Sequence, residues 1–477
     1  MSVEKETVEH VNMAKSSSSD RESGIDLEYE RRIIHKVDWR LLPILGGLYS
    51  VALIDRTNMS NANIAGMRVD LDLQIGARYS IALLVFFVPY FIFELPSNLV
   101  LRRVGAAKWL GSIALAWGAV MIGMGFVQDW RTLVVCRTIL GFFEAGFFPG
   151  CVYLVSCWYC RFEVQKRMAG FYLFSVVVGG FSAILAFGLM KMEGIAGIRG
   201  WRWIFIIEGV ITCLLALLAY VTIIDFPDKV IEKRNGQFLT AADVEMIKAR
   251  IDRDRDDSAA DPITWGKVGT HLSDFKLWVF AVLFMCSTMP SYAFGYFLPI
   301  IFEGMGWTAE KAQLMSAPPY VFACIVGFLF AVLADKMRMR GPVIAMQACI
   351  CIVGLLTTAY STNEGARYFG TFLGLAGAQG NVPAILSYQS NNIRMNSKRS
   401  VGSALQVGFG AIGGIFASTI FRTVDAPKYL PGLWASVACQ FFILLAVAGM
   451  SVYFKTMNKK QKEGKHIENH PDFTYTL

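Results

Sequence analysis

SIALLVFFVPYFIFELPSNLVLRRVGAAKWLGSIALAWGAVMIGMGFV, residues 80–127, contains two apolar blocks, 80–100 and 109–127, joined by a short turn that carries Arg102, Arg103 and Lys108. Each block has about the twenty residues that a helix rising 1.5 Å per residue needs to cross roughly 30 Å of hydrocarbon. Working outward, the same reading predicts spans at 41–60, 131–155, 168–189, 203–224, 276–300, 316–334, 342–360, 365–386, 400–421 and 432–454. The expected fold is an all-α integral membrane protein of twelve transmembrane helices in two pseudo-symmetric six-helix halves. The chain is 55% hydrophobic and 17% charged, against about 25% charged for a soluble protein. Such a composition cannot coat a water-soluble globule.

The polar stretches divide the chain. Residues 1–40, with Ser16 to Ser19 in a row, lack the apolar core and cleavage site of a signal peptide and read as a disordered cytosolic tail. Residues 41–224 form the first half and 276–454 the second, with 455–477 as a C-terminal tail. Between the halves, residues 225–275 contain LTAADVEMIKARIDRDR, where Thr240 can cap a helix that places Val244, Ile247 and Ile251 on one face.

An even number of spans puts both termini on one side. Arg102, Arg103, Lys108, Arg161, Lys166, Arg167, Lys336, Arg338, Arg340, Arg394, Lys398 and Arg399 fall on that side, whereas the opposite loops hold fewer cations. The positive-inside rule therefore predicts cytosolic termini. The net charge of +8 sits in these short loops and not along one face, so it reads as topology and argues against a nucleic-acid partner.

Several sequence features carry no chemistry. The ten cysteines lie in or beside apolar blocks and behave as small hydrophobes, Cys157 and Cys160 included. GFGAIGG, residues 408–414, spells a dinucleotide fingerprint, but it lies in an apolar helix with no strand before it, where glycines serve helix packing. No Walker loop, zinc spacing or nucleophile elbow is present. The sequence predicts no cofactor, no metal and no enzymatic activity.

Ionisable groups at membrane depth cost about 2.5–3.5 kcal/mol or more each, so they are candidates for function. Span 1 carries Asp55 and Arg56, span 2 carries Glu94, span 4 carries Arg137 and Glu144, and span 6 carries Glu208. The second half has no charge in the middle of a span. Arg137 and Glu144, in CRTILGFFEAGFFPG, are seven residues apart, so they share a helix face about 10 Å apart. Crossed pairs, Asp55 with Arg137 and Arg56 with Glu144, would neutralise all four groups; they could simply hold two helices together or form a working site. In the working reading, a substrate anion competes for an arginine, and the freed Glu144 takes up a proton. All five histidines lie outside the spans, so carboxylates must carry the proton.

Glu208 offers either a packing hydrogen bond or a gating group. In the second half, Tyr292, Tyr296, Gln379, Asn381 and Gln406 are the polar candidates for holding the uncharged part of a substrate, with helix adhesion as the alternative.

LPSNLVLRRVGAAKW after span 2 and ADKMRMR after span 8, with Asp335 and Lys336, resemble the repeated loop signature of the major facilitator superfamily, although Arg102 stands where Asp is usual. From about residue 35 to 455 the chain resembles the anion:cation symporter family within it, in the fungal branch of allantoate and nicotinate permeases. IDRTNMSNANIAGM, FELPSNLVLRRVGAAKWLG, CRTILGFFEAGFFPG, GWRWIFIIEG, FLTAADVEMIKARID, LPIIFEGMGWTAEKAQLMSAPPY, SNNIRMNSKRSVGSALQVGFGAIGGI and DAPKY carry that resemblance. It implies two halves rocking about a midplane site, with Arg56 and Tyr90 on the substrate and Asp55 and Glu144 as coupling carboxylates. It also implies Arg137 as the partner of Asp55, and loop residues Arg102, Arg103, Asp335 and Lys336 as gating groups. Tyr388 and Ala411 depart from the family pattern, where Trp and Asn are common.

The function expected is proton-coupled uptake of a small organic anion, a carboxylate such as nicotinate or a related vitamin or ureide, by a monomer in the plasma membrane. The rival readings are a proton antiporter exporting a xenobiotic or secondary metabolite, and a nutrient sensor that binds without transport.

Overall fold

The computed structural model describes the backbone of residues 2–232, 238–254, 265–393, 396–422, 425, 428–464, 467 and 473–477. Side chains are described from residue 28 onward, save for scattered positions of which Arg102 is one; the gating expectation for Arg102 thus lies outside the described residues. Helices fill the chain in the order α1 (Ser2–Ala62), α2 (Arg78–Val104), α3 (Ala106–Met124), α4 (Trp130–Glu144), α5 (Phe147–Trp158), α6 (Arg161–Met190) and α7 (Gly200–Thr222). Then come α8 (Ala241–Asp254), α9 (Phe275–Gly304), α10 (Ala317–Met337), α11 (Gly341–Tyr360), α12 (Glu364–Asn392), α13 (Asn396–Ile420) and α14 (Leu430–Lys462). With α4 and α5 forming one broken span, the six-plus-six arrangement follows, and α8 lies in the connector.

Among the described residues, ten stretches are long and apolar enough to cross a membrane by themselves. The two spans outside that set are α2 and α12, of 27 and 29 residues. Helix α2 nonetheless contains the apolar block 80–100, with Glu94 its one charge, and only α12 is more polar, holding Gln379, Asn381, Gln389 and Asn392. The place of α12 among the other helices, not its own hydropathy, keeps it in the bundle.

The helix that carries the first span begins before residue 41. Helix α1 already runs through the stretch expected to be a disordered tail, and within it Ile33, Ile34, Val37 and Leu41 are buried. The partner surface is the connector helix α8, whose Val244, Ile247 and Ile251 are buried as their spacing predicts. Thr240 and Asp243 cap α8 reciprocally, with the Asp243 amide donating to Thr240 Oγ1 (3.2 Å) and the Thr240 amide to Asp243 Oδ2 (2.8 Å). Tyr29 donates to Asp243, Arg250 pairs with Glu30 and Glu163, and Arg167 pairs with Asp38. Charges spaced along two short amphipathic segments thus fasten the connector to the first half.

The C-terminal tail is also docked. Tyr475 stacks on Phe454 at 4.4 Å and accepts from Lys276 Nζ (2.7 Å). Asn392 and Asn458 each make two hydrogen bonds to residues 475 and 476, and the Arg340 amide donates to the Leu477 carbonyl (2.6 Å). The last five residues therefore tie together one end of α9, α11, α12 and α14.

At the opposite end, away from the termini, the halves are joined. Arg68 holds Glu303 through both oxygens (2.8 and 3.0 Å), and Gln313 Nε2 donates to the Asn61 carbonyl (3.1 Å). Deeper in, the Tyr79 hydroxyl donates to the Tyr296 carbonyl (3.3 Å) and Ser60 Oγ to the Gly295 carbonyl (3.2 Å). The molecule is therefore closed on the face away from the termini.

Candidate functional site

A cavity of about 1050 Å³, counted out to its mouth, lies between the halves at mid-depth. Helix α1 contributes Tyr49 and Arg56, α2 Tyr90, α6 Tyr172, α9 Tyr292 and Tyr296, α10 Tyr320, and α12 Gln379. Among the described residues, Arg56 is the one charged residue in the lining. Tyr49 and Arg56 are seven residues apart, two turns, so one face of α1 carries both. Tyr292 and Tyr296 are four apart on α9 and their rings stack at 6.1 Å.

Arg56 is 8% exposed and makes three polar contacts. Its Nε and Nη2 donate to Glu144 Oε1 at 3.0 and 2.5 Å, and its Nη1 donates to the Tyr292 hydroxyl at 2.9 Å. The guanidinium also lies over the rings of Tyr90 (5.3 Å), Phe86 (5.5 Å) and Tyr292 (5.8 Å). An arginine satisfied in this way by one carboxylate and a ring wall can exchange the carboxylate for another anion without leaving its seat. Because Tyr292 belongs to the second half, Arg56 links the halves at the level of the cavity.

Glu144 reaches Arg56 because α2 and α4 cross in contact. A Cβ on Gly141 would run into the Phe86 carbonyl, so only glycine lets the two backbones meet one turn from Glu144. The span then breaks after Glu144 and resumes at Phe147.

One of the two crossed pairs is present and the other is not. Arg56 takes Glu144, but Asp55 and Arg137 do not bond: both Asp55 carboxylate oxygens and both terminal Arg137 nitrogens lack hydrogen-bond partners. Arg137, fully buried, donates from Nε to the Ala82 carbonyl (3.3 Å) and lies over Phe86 (4.8 Å). The ring and carbonyl of α2 hold the guanidinium that the charge pattern assigns to Asp55. Asp55 faces into the first half, outside the cavity lining.

The other expected residues separate in the same way. Tyr90, Tyr292, Tyr296 and Gln379 line the cavity, and Gln379 Oε1 accepts from the Tyr172 hydroxyl (3.4 Å) across the halves. Asn381 and Gln406 do not line it: Asn381 meets Gln440 (3.4 Å) and Gln406 donates to the Ile385 carbonyl (3.4 Å), both inside the second half. Asp335 pairs with Arg340 of its own half (2.5 Å), Lys336 is exposed, and the Arg103 carbonyl accepts from Lys229 (2.8 Å). Glu208 accepts from Asn58 within the first half, away from the boundary between halves. The glycines of the 408–414 decoy do pack helices: Gly408 lies against Phe91 and Gly410 against Phe284.

Tyr49, Tyr172 and Tyr320 are lining residues that sequence reasoning missed. For Tyr49, the seven-residue spacing to Arg56 was a usable signal; Tyr172 and Tyr320 reach the cavity only through the packing of α6 and α10. The Arg68–Glu303 pair was equally invisible, since it joins residues 235 positions apart.

Two six-helix halves closing around a central cavity define a membrane transporter. The sequence pattern of the Major Facilitator Superfamily matches residues 45–418, and the chain belongs to that superfamily. It is 30% identical over 463 residues to the MFS transporter prlL of Fungal sp. (strain NRRL 50135), covering 95% of this chain and 92% of that one. It is likewise 30% identical over 444 residues to the major facilitator-type transporter hxnP of Emericella nidulans, covering 92% and 88%. Among solved structures, the xylose transporter XylE from E. coli in a partially occluded inward-open conformation superposes with a TM-score of 0.68 at 11% identity, covering 87% of this chain and 99% of that one. The chain is thus a multi-pass membrane transporter of small molecules.

Proposed function

We propose that the protein is a proton-coupled symporter that takes up a small organic anion, within the anion:cation symporter family. The observation that carries this reading is the Arg56 site: one buried guanidinium, held by Glu144 and Tyr292, is the only charge among the described residues that line a cavity rich in aromatic and apolar side chains. A single cation in that setting suits a ligand with one negative charge and a flat or apolar body. A monocarboxylate such as nicotinate, or a related vitamin or ureide, meets that description.

Coupling follows from exchange at Arg56. An arriving carboxylate takes the fork that now holds Glu144 Oε1, and Glu144, deprived of its counter-ion in a dry site, accepts a proton. Substrate and proton then cross together as a neutral load, with no net charge to desolvate. Arg68–Glu303 opens for entry from the far face, and closure on substrate brings Tyr292 and Arg56 together. We place the monomer in the plasma membrane with both termini cytosolic, on the positive-inside distribution of loop charge.

Uptake into membrane vesicles with an imposed proton gradient tests the scheme. Accumulation of a labelled carboxylate should collapse when the gradient is removed, and a panel of unlabelled carboxylates should compete. Accumulation indifferent to the gradient would reject proton symport. Exchange of large neutral compounds that persists in Arg56→Ala would favour the exporting antiporter.

A further inference from the structure

A second cavity, of about 1010 Å³ counted out to its mouth, opens between α1 and the last turns of α7, on the face that carries the termini. It shares no lining residue with the substrate cavity. Its outer end is basic, formed by His35, Lys36 and Arg40 of α1 with Trp39 beside them. Its deeper end is apolar, formed by Pro43 and Ile44 of α1 and by Leu215 and Leu218 of α7. Among the described residues, no carboxylate lines it.

The outer side of α7 marks the depth. Leu214, Leu217, Leu218 and Val221 are 51% to 70% exposed, a surface fit for hydrocarbon almost to the end of the helix at Thr222. Arg40 caps that end: its Nε donates to the Thr222 carbonyl (3.3 Å) and its Nη2 to the Val221 carbonyl (2.9 Å). The guanidinium, which lies over the Phe238 ring (4.4 Å), therefore stands at the edge of the hydrocarbon. Lys36 and His35 are four and five residues farther out on α1, roughly 6–8 Å, which is about the thickness of one headgroup layer. Trp39 is 71% exposed and donates from its indole nitrogen to His35 Nε2 (2.9 Å), at the level where such rings gather.

The protein does not neutralise these cations itself. Asp38 is taken by Arg167, Glu30 by Arg250, and Asp243 by Tyr29 and the Thr240 amide. Lys36 acts on Asp243 only through space and forms no ion pair within 4 Å among the described residues. Arg40 keeps Nη1 without a hydrogen bond, and neutral His35, accepting at Nε2, carries its proton on Nδ1. Three donors thus surround one opening.

We propose that this cavity binds an anionic phospholipid of the adjoining leaflet, with the phosphate on Lys36 and Arg40, the headgroup beside His35 and Trp39, and an acyl chain along Pro43, Ile44, Leu215 and Leu218. A free phosphate ion fits less well, because it would leave the apolar end of the cavity uncovered. A zwitterionic lipid also fits less well, since no lining carboxylate receives its ammonium group. An anionic headgroup gains from every cation near the membrane surface. The occupied stretch of α1 is the one whose buried side, Ile33, Ile34 and Val37, packs toward the connector. The site goes beyond the transport reading and does not depend on it, because its residues are separate from the substrate cavity.

Photo-crosslinking of the full-length protein in phosphatidylcholine nanodiscs tests the site, with a small fraction of photoactivatable phosphatidylserine and, in a matched sample, of photoactivatable phosphatidylcholine. Phosphatidylserine adducts should map to peptides covering residues 35–44 and 215–222 and should be competed by unlabelled phosphatidylserine. Lys36→Gln changes an exposed side chain and should lower labelling there about fivefold, the equivalent of roughly 1 kcal/mol per cation at a membrane surface. Arg40→Gln should lower it at least as much, but it also uncaps α7, so Lys36→Gln carries the test. Lys459→Gln, an exposed cation elsewhere on the same face, should leave labelling unchanged. Equal labelling by the two lipids, or an equal loss in Lys459→Gln, would reduce the site to general surface charge and overturn the proposal. Labelling abolished by millimolar inorganic phosphate would show a site for the free ion, and adducts absent from these peptides would show a cavity closed to lipid; each would also overturn it.

Discussion

Removing the Arg56 side chain should damage the protein twice, and the two effects can be separated. In Arg56→Ala, Glu144, 2% exposed in the unaltered protein, loses both of its hydrogen bonds and its counter-ion. Breaking a buried pair from one side costs about 3–5 kcal/mol, mostly because the remaining charge is stranded. Adding Glu144→Gln removes that charge, so the double variant should recover most of the lost stability. Transport should not recover. Two charge-assisted hydrogen bonds to a substrate carboxylate contribute at least about 3 kcal/mol together, roughly a hundredfold in Kd. Arg56→Lys keeps the charge but loses the fork and should fall between. The assays are thermal unfolding of purified protein without substrate and counterflow of a labelled carboxylate in proteoliposomes. A double variant no more stable than Arg56→Ala, or one that exchanges carboxylate as the unaltered protein does, would refute the reasoning.

Tyr292→Phe removes the one hydrogen bond from Arg56 to the second half and should weaken carboxylate binding by about 0.5–1.5 kcal/mol, read as a shift in the half-saturating concentration. Disrupting the far-side clasp with Glu303→Ala removes a half-exposed ion pair, contributing at most about 1 kcal/mol. Labelling of a cysteine placed at Thr57 by an impermeant reagent from that face should rise without loss of fold. Deleting residues 473–477 exposes the partners of buried Tyr475 and should lower the unfolding temperature; burial of an aromatic ring accounts for about 1.5–3 kcal/mol.

The connector should loosen in acid. Burial raises the pKa of Glu163, but its hydrogen bonds and charge contact with Arg250, and Arg167 beyond, outweigh that and hold it below the ordinary glutamate range. A depressed carboxyl stabilises the docked form above its unfolded pKa and loses that contribution as pH falls through the folded one. The mobility of a spin label at Lys248 should therefore rise in that acid range, and Glu163→Gln should show the higher mobility at neutral pH.

The apolar block length set the number of spans, because the bilayer imposes one length on every crossing helix. Loop cations gave the expected orientation, and the scarcity of charge within spans singled out Asp55, Arg56, Arg137, Glu144 and Glu208. The Arg56–Glu144 bond was legible from the need to neutralise buried charges in different spans, and the Tyr292–Tyr296 face because helical periodicity fixes which residues share a side. Periodicity does not say which helix stands opposite. Only the packing of α2 against α4 decided that Arg137 rests on Phe86 and Ala82 instead of Asp55. Only the contact of α1 with α7 brought Asn58 to Glu208, and only the seating of α12 and α13 against their neighbours kept Asn381 and Gln406 out of the cavity. The sequence determines which charges must be buried, since water and lipid sort residues locally. Their partners are decided by contacts between distant segments, which no local pattern encodes.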